Sequence, residues 1–528
     1  MWRSIWLSCA LTLSITSACF PPDDGVDPPL DRIYFPVGLG LSSGGDRLYV
    51  ANSDFDLQYN AGTLQALDAA AIRRLLPVSC KSDSDCLRGS CDIRRGSTEG
   101  QGFCEFSGSL CPGGVSAEQS SKDSFLAPAP CRVTDLSEVL LDSARISPFV
   151  SDLTYTLFTD SKGKERARLF LPVRADATLH WADAAHDLAG TGPVLECGQD
   201  KSALKRCDDE HRRGDGTDER SAEGEFLPTE PFALAVSTDG RTLAVAHQTQ
   251  GAVSLLENTD QGPELLSVLR GLPFNPMAVI AVPPPQLAQL SDVDYQPGFW
   301  VTFRGGGRPA IELLRYIDKK EAPHTPFLQR AGVAPITVSS GFDTRGIAID
   351  ASDRVACESA CDVKTSLSQV SAAARACLET CASVQLDVVV ASRSPESLMF
   401  GKTGPANTPT RSDDLPNFSD MLPMRGGPSK VWVGNIIDEQ GEPSRRIFAV
   451  AFDANWLYIY DPARSEVEVR LTTGRGPQGV AIDERNGLAY VAHFTDSYVG
   501  VVDLDKRHAT YGKVLLNVGQ PKPPRAEQ

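Results

Sequence analysis

Short runs of alternating apolar and polar residues, separated by Gly, Asp and Asn, fill most of the chain. The clearest are PVGLGLSSGGDRLYVANS from Pro36, PFALAVSTDGRTLAVAHQ from Pro231 and PQGVAIDERNGLAYVAHF from Pro477. Each couples one alternating run to a turn and then to a second run ending in Val-Ala and a polar residue. A third run follows: GTLQALD from Gly62, GAVSLLE from Gly251 and YVGVVDL from Tyr498. A period of two with turn residues between short runs predicts antiparallel strand meanders. The frame recurs in PFVSDLTY with RLFLPVRADATLHWAD, PMAVIAV with GFWVTFRGGGRPAIELL, TRGIAID with LDVVVASR, and SKVWVGN with RIFAVAFDANWLYIYD. Seven units result. VLLDSARISP, LLSVLRGLPFNP, VEVRLTTGRGP and KVLLNVGQP supply fourth strands.

A four-stranded unit cannot bury both faces alone, so neighbouring units must stack. These segments resemble the YVTN-type β-propeller repeat of secreted and surface proteins, over residues 31–520 outside the insertions. The resemblance implies an all-β, seven-bladed β-propeller with four-stranded antiparallel blades. A pair of β-sandwiches, or a six-bladed ring with one unit misread, are the alternatives.

Three insertions interrupt the units. Residues 78–131 carry Cys80, Cys86, Cys91, Cys104, Cys111 and Cys131, a loop-rich module whose pairing the spacing leaves open. Residues 195–224 hold Cys197 and Cys207 in a charged stretch, expected to form a stapled loop. Residues 353–384 place Cys357-x3-Cys361 and Cys377-x3-Cys381 around SLSQVSAAARA, a segment of good helical propensity. Cys residues four apart share a helix face. Two antiparallel helices would then pair Cys357 with Cys381 and Cys361 with Cys377, as in the twin Cys-x3-Cys hairpins that this segment resembles. Four thiolates on zinc are the lesser alternative, because the spacing lacks the tight zinc knuckle.

The cysteines bear on compartment. Residues 1–18 read as an export signal, with Arg3 before an apolar stretch too short for a comfortable membrane span. Thr16-Ser17-Ala18-Cys19 resembles the bacterial lipobox, which implies lipidation of Cys19 after cleavage; plain cleavage after Ala18 is the alternative. Residues 19–30, rich in Pro and Asp, fit a tether, and residues 521–528 a disordered tail. Phe20 replaces the Asp that retains such lipoproteins at the inner membrane, so the resemblance implies the outer membrane, on its periplasmic or surface side. Setting aside Cys9 and Cys19 leaves twelve of the fourteen cysteines, an even number suited to disulfides in an oxidising compartment.

Charge narrows the partners. With 51 basic against 68 acidic residues the net charge is −17, the wrong sign for a dedicated nucleic-acid binder. Gly40-Leu41-Ser42-Ser43-Gly44 matches Gly-x-Ser-x-Gly, but the string falls at a strand-to-strand turn, not the strand-to-helix elbow a nucleophile needs. No cofactor is expected. Asp83, Asp85, Asp208 and Asp209 are weak calcium candidates.

Strand parity gives a sharper expectation. Let A to D run from the inner strand outward. The A–B and C–D connections then share one face, and the B–C and D–A connections share the other. Asn52, Arg174, His247, Arg304, Arg393 and His493 end the B strands, and Arg270, Arg345, Arg425 and Arg475 lie in D–A connections. This Arg/His ring is expected to hold a carboxylate, phosphate or sulfated group. Pairing with local acids such as Asp350, Asp453 and Asp483 is the competing expectation. The functional expectation is a monomeric, non-enzymatic binding or scaffold module for an envelope protein, a polysaccharide or another anionic ligand. The alternative is a propeller-type hydrolase or lactonase with a divalent cation in its channel.

Overall fold

The computed structural model describes residues 25–86, 90–92, 102–104, 131–198, 205–214, 226–290, 295–305, 310–318, 325–339, 343–361, 370–404, 415–508 and 510–521. The expected signal segment, Cys19, Cys111 and residues 522–528 lie outside them.

Seven antiparallel sheets follow one another along the chain, at residues 36–146, 154–213, 231–269, 276–335, 344–423, 430–472 and 477–518. In each, the strands hydrogen-bond in chain order. This is a seven-bladed β-propeller. Burial grades outward because each blade is covered on both faces near the axis and loses cover at the rim. In blade 7 the B strand Leu488–His493 is buried at every position, whereas the D strand of blade 6, Glu466–Thr472, is largely exposed. Inner strands approach so closely that a Cβ on Gly38 would lie 2.5 Å from the backbone nitrogen of Leu153 in the next blade. Ring closure uses Arg132–Thr134, which follows the Cys-rich insertion and pairs parallel to Val514–Val518 as a fifth strand on blade 7.

One boundary differs from expectation. The D strand of blade 2 is Arg212–Arg213, inside the segment 195–224 expected to be wholly insertion. It is two residues long and carries no apolar alternation. Arg213 is buried there by donating to the carbonyls of Pro263 and Glu210 at 2.9 and 2.7 Å. A strand held by a buried guanidinium leaves no hydrophobic signature.

The insertions leave from A–B or C–D connections and so share a face. Cys80 bonds Cys91, Cys86 bonds Cys104, and Cys197 bonds Cys207; Cys131 is disulfide-bonded as well. Helices Ser352–Ser359 and Ala372–Ala382 form a hairpin stapled by Cys357–Cys381 and Cys361–Cys377. Ser371 caps the second helix by accepting the Ala374 N–H at 3.1 Å. The hairpin is not loose. Leu378 and Cys381 pack on Leu287 and Leu290 of blade 4, Glu358 accepts the Gln286 N–H at 2.8 Å, and Asp353 pairs with Arg445 of blade 6 at 2.9 Å.

Because the hairpin lies outside the blades, its bridges should stabilise it locally. Each closes a loop worth about 3 kcal/mol in the chain-entropy model. Replacing Cys357, Cys361, Cys377 and Cys381 by Ser is expected to speed hydrogen exchange in residues 352–382 and leave blade protection unchanged. Loss of protection around the whole ring would contradict this.

Candidate functional site

The B–C and D–A face opens on a cavity of about 260 Å³ to which all seven blades contribute, and its lining follows from one repeated backbone feature. In blade 3, Pro231 pairs with His247 and Ala233 with Ala246, so Phe232 is an extra residue in the inner strand. The same shift leaves Val37, Met277 and Arg345 extra in blades 1, 4 and 5, and falls between Pro477 and Val480 in blade 7. Blade 2 repeats it between the Val150–Val173 bridge and the Thr154–Phe170 pair. A bulge re-aims a side chain out of the ladder. Val37, Ser151, Phe232, Met277, Arg345 and Gln478 accordingly all line the cavity. Blade 6, whose register is regular, contributes Ser429 and Lys430.

A second ring surrounds this one. In six blades the residue following the paired B-strand end donates its N–H to the carbonyl of the corner before strand A. Ser53 donates to Phe35, Arg174 to Phe149, Gln248 to Glu230, Arg304 to Asn275, Arg393 to Asp343 and Phe494 to Gly476, at 2.8–3.1 Å. Several corner residues are left-handed. Gly476 takes that conformation readily, but Phe35 and Phe149 take it at φ 46° and 61°, where a bulky side chain is strained.

This register corrects two candidates. His247 and His493 stand one residue before the rim positions Gln248 and Phe494, so alternation turns their rings into the blades. Both are fully buried: His247 Nε2 lies 2.8 Å from Ser254 Oγ, and the His493 ring stacks on Tyr498 at 4.3 Å. Asn52 is buried likewise, donating to Thr63 and Gln65 at 2.9 Å. Arg425 and Arg270 are exposed, and Arg475 pairs with Asp496 at 2.6 Å outside the cavity lining. Of the expected acids, Asp350 and Asp483 lie at the ends of A strands on the opposite face, with Arg445 and Arg73; only Asp453 reaches the mouth.

The mouth has two walls. Blades 6, 7, 1 and 2 supply an aromatic one, in which Phe494 packs against Phe35, Phe55 and Phe452 at 5.1, 5.3 and 5.8 Å, and Phe55 against Phe149 at 5.9 Å. Phe55 is 52% exposed. The other wall is basic. Arg345 forks onto Asp343 at 2.5 and 3.1 Å, Arg304 approaches the same carboxylate at 3.7 Å, and Arg393 pairs with Asp453. Burial lowers the pKa of Arg393, and the Arg345 and Arg304 charges add to the effect against Asp343. Arg174 pairs with Glu230 at 2.9 Å and lies over the Phe232 ring at 5.8 Å. Lys430 reaches from blade 6 to Asp152 of blade 2 at 3.4 Å, across the axis. A second cavity of about 460 Å³ adjoins the first and shares Arg345 and Arg393 with it.

The aromatic wall, Met277 and Lys430 were not singled out from sequence. A signal for part of it was present: aligning the units on Pro36, Pro231, Pro276 and Pro477 puts Val37, Phe232, Met277 and Gln478 in one column. Elsewhere, Ser42 lies in an A–B turn, its hydroxyl accepting the Arg47 N–H at 3.0 Å. Asp83 and Asp85 accept backbone N–H groups at 2.7–2.9 Å, Asp208 caps His211, and Asp209 pairs with Arg212. Among the described residues, the only groups of three side chains placed to share an ion are disulfide cysteines, Cys80, Cys86 and Cys104, and Cys361, Cys377 and Cys381.

No family model and no curated protein matches the chain. Solved structures of low similarity include a hydrazine synthase from Kuenenia stuttgartiensis, at TM-score 0.42 and 9% identity over 93% of this chain and 99% of that one. The Dos1 propeller matches at TM-score 0.42 and 10% identity, over 94% and 87% of the two chains. A protein from Lactobacillus plantarum matches at 0.41 and 11%, over 86% and 89%. None of these likenesses bears on ligand or activity.

The buried histidines generate a pH prediction. Burial lowers both pKa values from 6.5 to about 3. Between those values the unfolded chain binds more protons, so stability should rise with pH from about 3 to 6.5 and be flat outside that window for these groups. A His247→Gln, His493→Gln variant is expected to lose part of this slope in urea midpoints measured from pH 4 to 7. An unchanged slope would contradict the burial of the two rings.

Proposed function

We propose that the mouth seats one apolar or aromatic group of a protein partner or other anionic ligand, and that the protein acts as a binding or scaffold module. The observation that carries this reading is the convergence of bulged residues from six blades on one cavity. At about 260 Å³ the cavity falls just below the range usual for drug-sized ligands, which suits a single anchoring group. Its lining of Phe, Met and Arg is the composition of interface hot spots.

The lipid anchor expected at Cys19 fits this reading. Residues 25–27 lie beside the B–C connection of blade 1, with the Val26 carbonyl accepting the Asn60 N–H at 2.9 Å and Asp27 pairing with Arg145 at 2.6 Å. Six residues carry the chain from Cys19 to Gly25, about 20 Å at full extension. An anchored protein would hold its mouth side close to the membrane, in the cell envelope. Cys19→Ser is then expected to move the protein from the detergent phase to the aqueous phase; equal partitioning of both forms would remove the anchor from the account.

A photo-crosslinking residue at Phe55 should trap a partner in the producing cells, and one at Val355 on the helical hairpin should not. Arg345→Ala with Arg393→Ala should reduce the adduct, since bonds to charged groups contribute about 1.5–3 kcal/mol each. Adducts that form at Val355 instead, or that persist in the paired Arg variant, would overturn the assignment.

A further inference from the structure

The basic wall carries its own clue to the ligand. Three acids line the second cavity: Asp343, Glu396 and Asp453. Asp343 is 16% exposed and tied to two guanidiniums. Glu396 accepts the Gly426 N–H at 2.9 Å. Asp453 differs, being 60% exposed and resting on Arg393 from the solvent side. An ion pair at such exposure is weak and exchangeable. Its neighbour Phe452 belongs to the aromatic wall, so Phe452-Asp453 sets an aromatic ring in one cavity and a carboxylate in the other.

Resting on the reading of the mouth as a binding pocket, we infer that its ligand carries a carboxylate beside an apolar or aromatic group, and that Asp453 holds that carboxylate's place on Arg393 until the ligand displaces it. Arg345, fixed by its fork on Asp343, and Arg393 stand where the two cavities meet. Phe494 and Phe55 line the same cavity as this pair, so a ligand with a ring and a carboxylate has a surface for each. Desolvation and the repulsion of Arg345 and Arg304 leave Arg393 in a site that a further anion relieves. Arg is suited to the role because its planar fork matches a carboxylate.

The sign of one substitution decides the matter. Binding of N-acetyl-L-phenylalanine and of its C-terminal amide is measured by calorimetry or NMR titration on wild type, Asp453→Asn, Asp453→Ala and Arg393→Ala. The acid should bind and the amide should not. Both Asp453 variants should tighten the acid about two- to fivefold, the range to which an exposed ion pair converts, and Arg393→Ala should abolish the gain. If Arg393→Ala weakens the acid but neither Asp453 variant tightens it, Asp453 is no placeholder and the binding pocket stands. If acid and amide bind alike, the carboxylate assignment falls. If the folded wild type and both Asp453 variants bind neither compound, the reading of the mouth falls with it.

Discussion

A strand shows alternate side chains to opposite faces, so one residue added to a strand reverses everything beyond it. The molecule uses that constraint in six of its seven blades, blade 6 keeping a regular register. The added residue sits at the start of the inner strand, where it turns Val37, Phe232, Met277 and Arg345 out of the ladder and into the mouth. The hydrogen bond from the following B-strand residue to the corner carbonyl pins the register on the other side. The bulged residues share the mouth with side chains from unbulged positions, among them Phe55, Arg393, Lys430 and Phe494.

The same parity divides the two faces. Connections A–B and C–D carry the disulfide modules, and connections B–C and D–A carry the mouth. Arg393 and the helical hairpin lie at opposite ends of one strand pair: Asp350 faces Asp387 at the hairpin end, and Thr344 faces Ser392 at the mouth end. The insertions can therefore vary in size without touching the cavity. The hairpin is nonetheless docked on blades 4 and 6 through Leu287, Leu290 and Arg445.

Much of the ring was legible in the sequence because apolar alternation reports the interior strands of a stacked blade. Pro36, Pro231, Pro276 and Pro477 mark the inner-strand starts, and the turns between runs mark the hairpins. Strand D of blade 2 was not legible, since Arg212–Arg213 is held by a buried guanidinium. The mouth was half legible. Counting strands put Arg174, Arg304, Arg345 and Arg393 on the B–C and D–A face, and there they line the two cavities. It also placed His247 and His493 there, but each is the last paired residue of its B strand, one position before the rim, and is fully buried. Phe55, Phe149 and Phe494 escaped notice because an aromatic residue at a strand end reads as ordinary core.

Adjacent positions in blade 5 test the register most directly. Ser392 is fully buried and Arg393 is a quarter exposed at the mouth. Cysteine at each position, in otherwise wild-type protein, can be challenged with a maleimide under native conditions. The bulged register predicts rapid labelling of Arg393→Cys and protection of Ser392→Cys until the protein unfolds. Rapid labelling of Ser392→Cys with protection of Arg393→Cys would contradict it, and the mouth would then be lined by a different set of side chains.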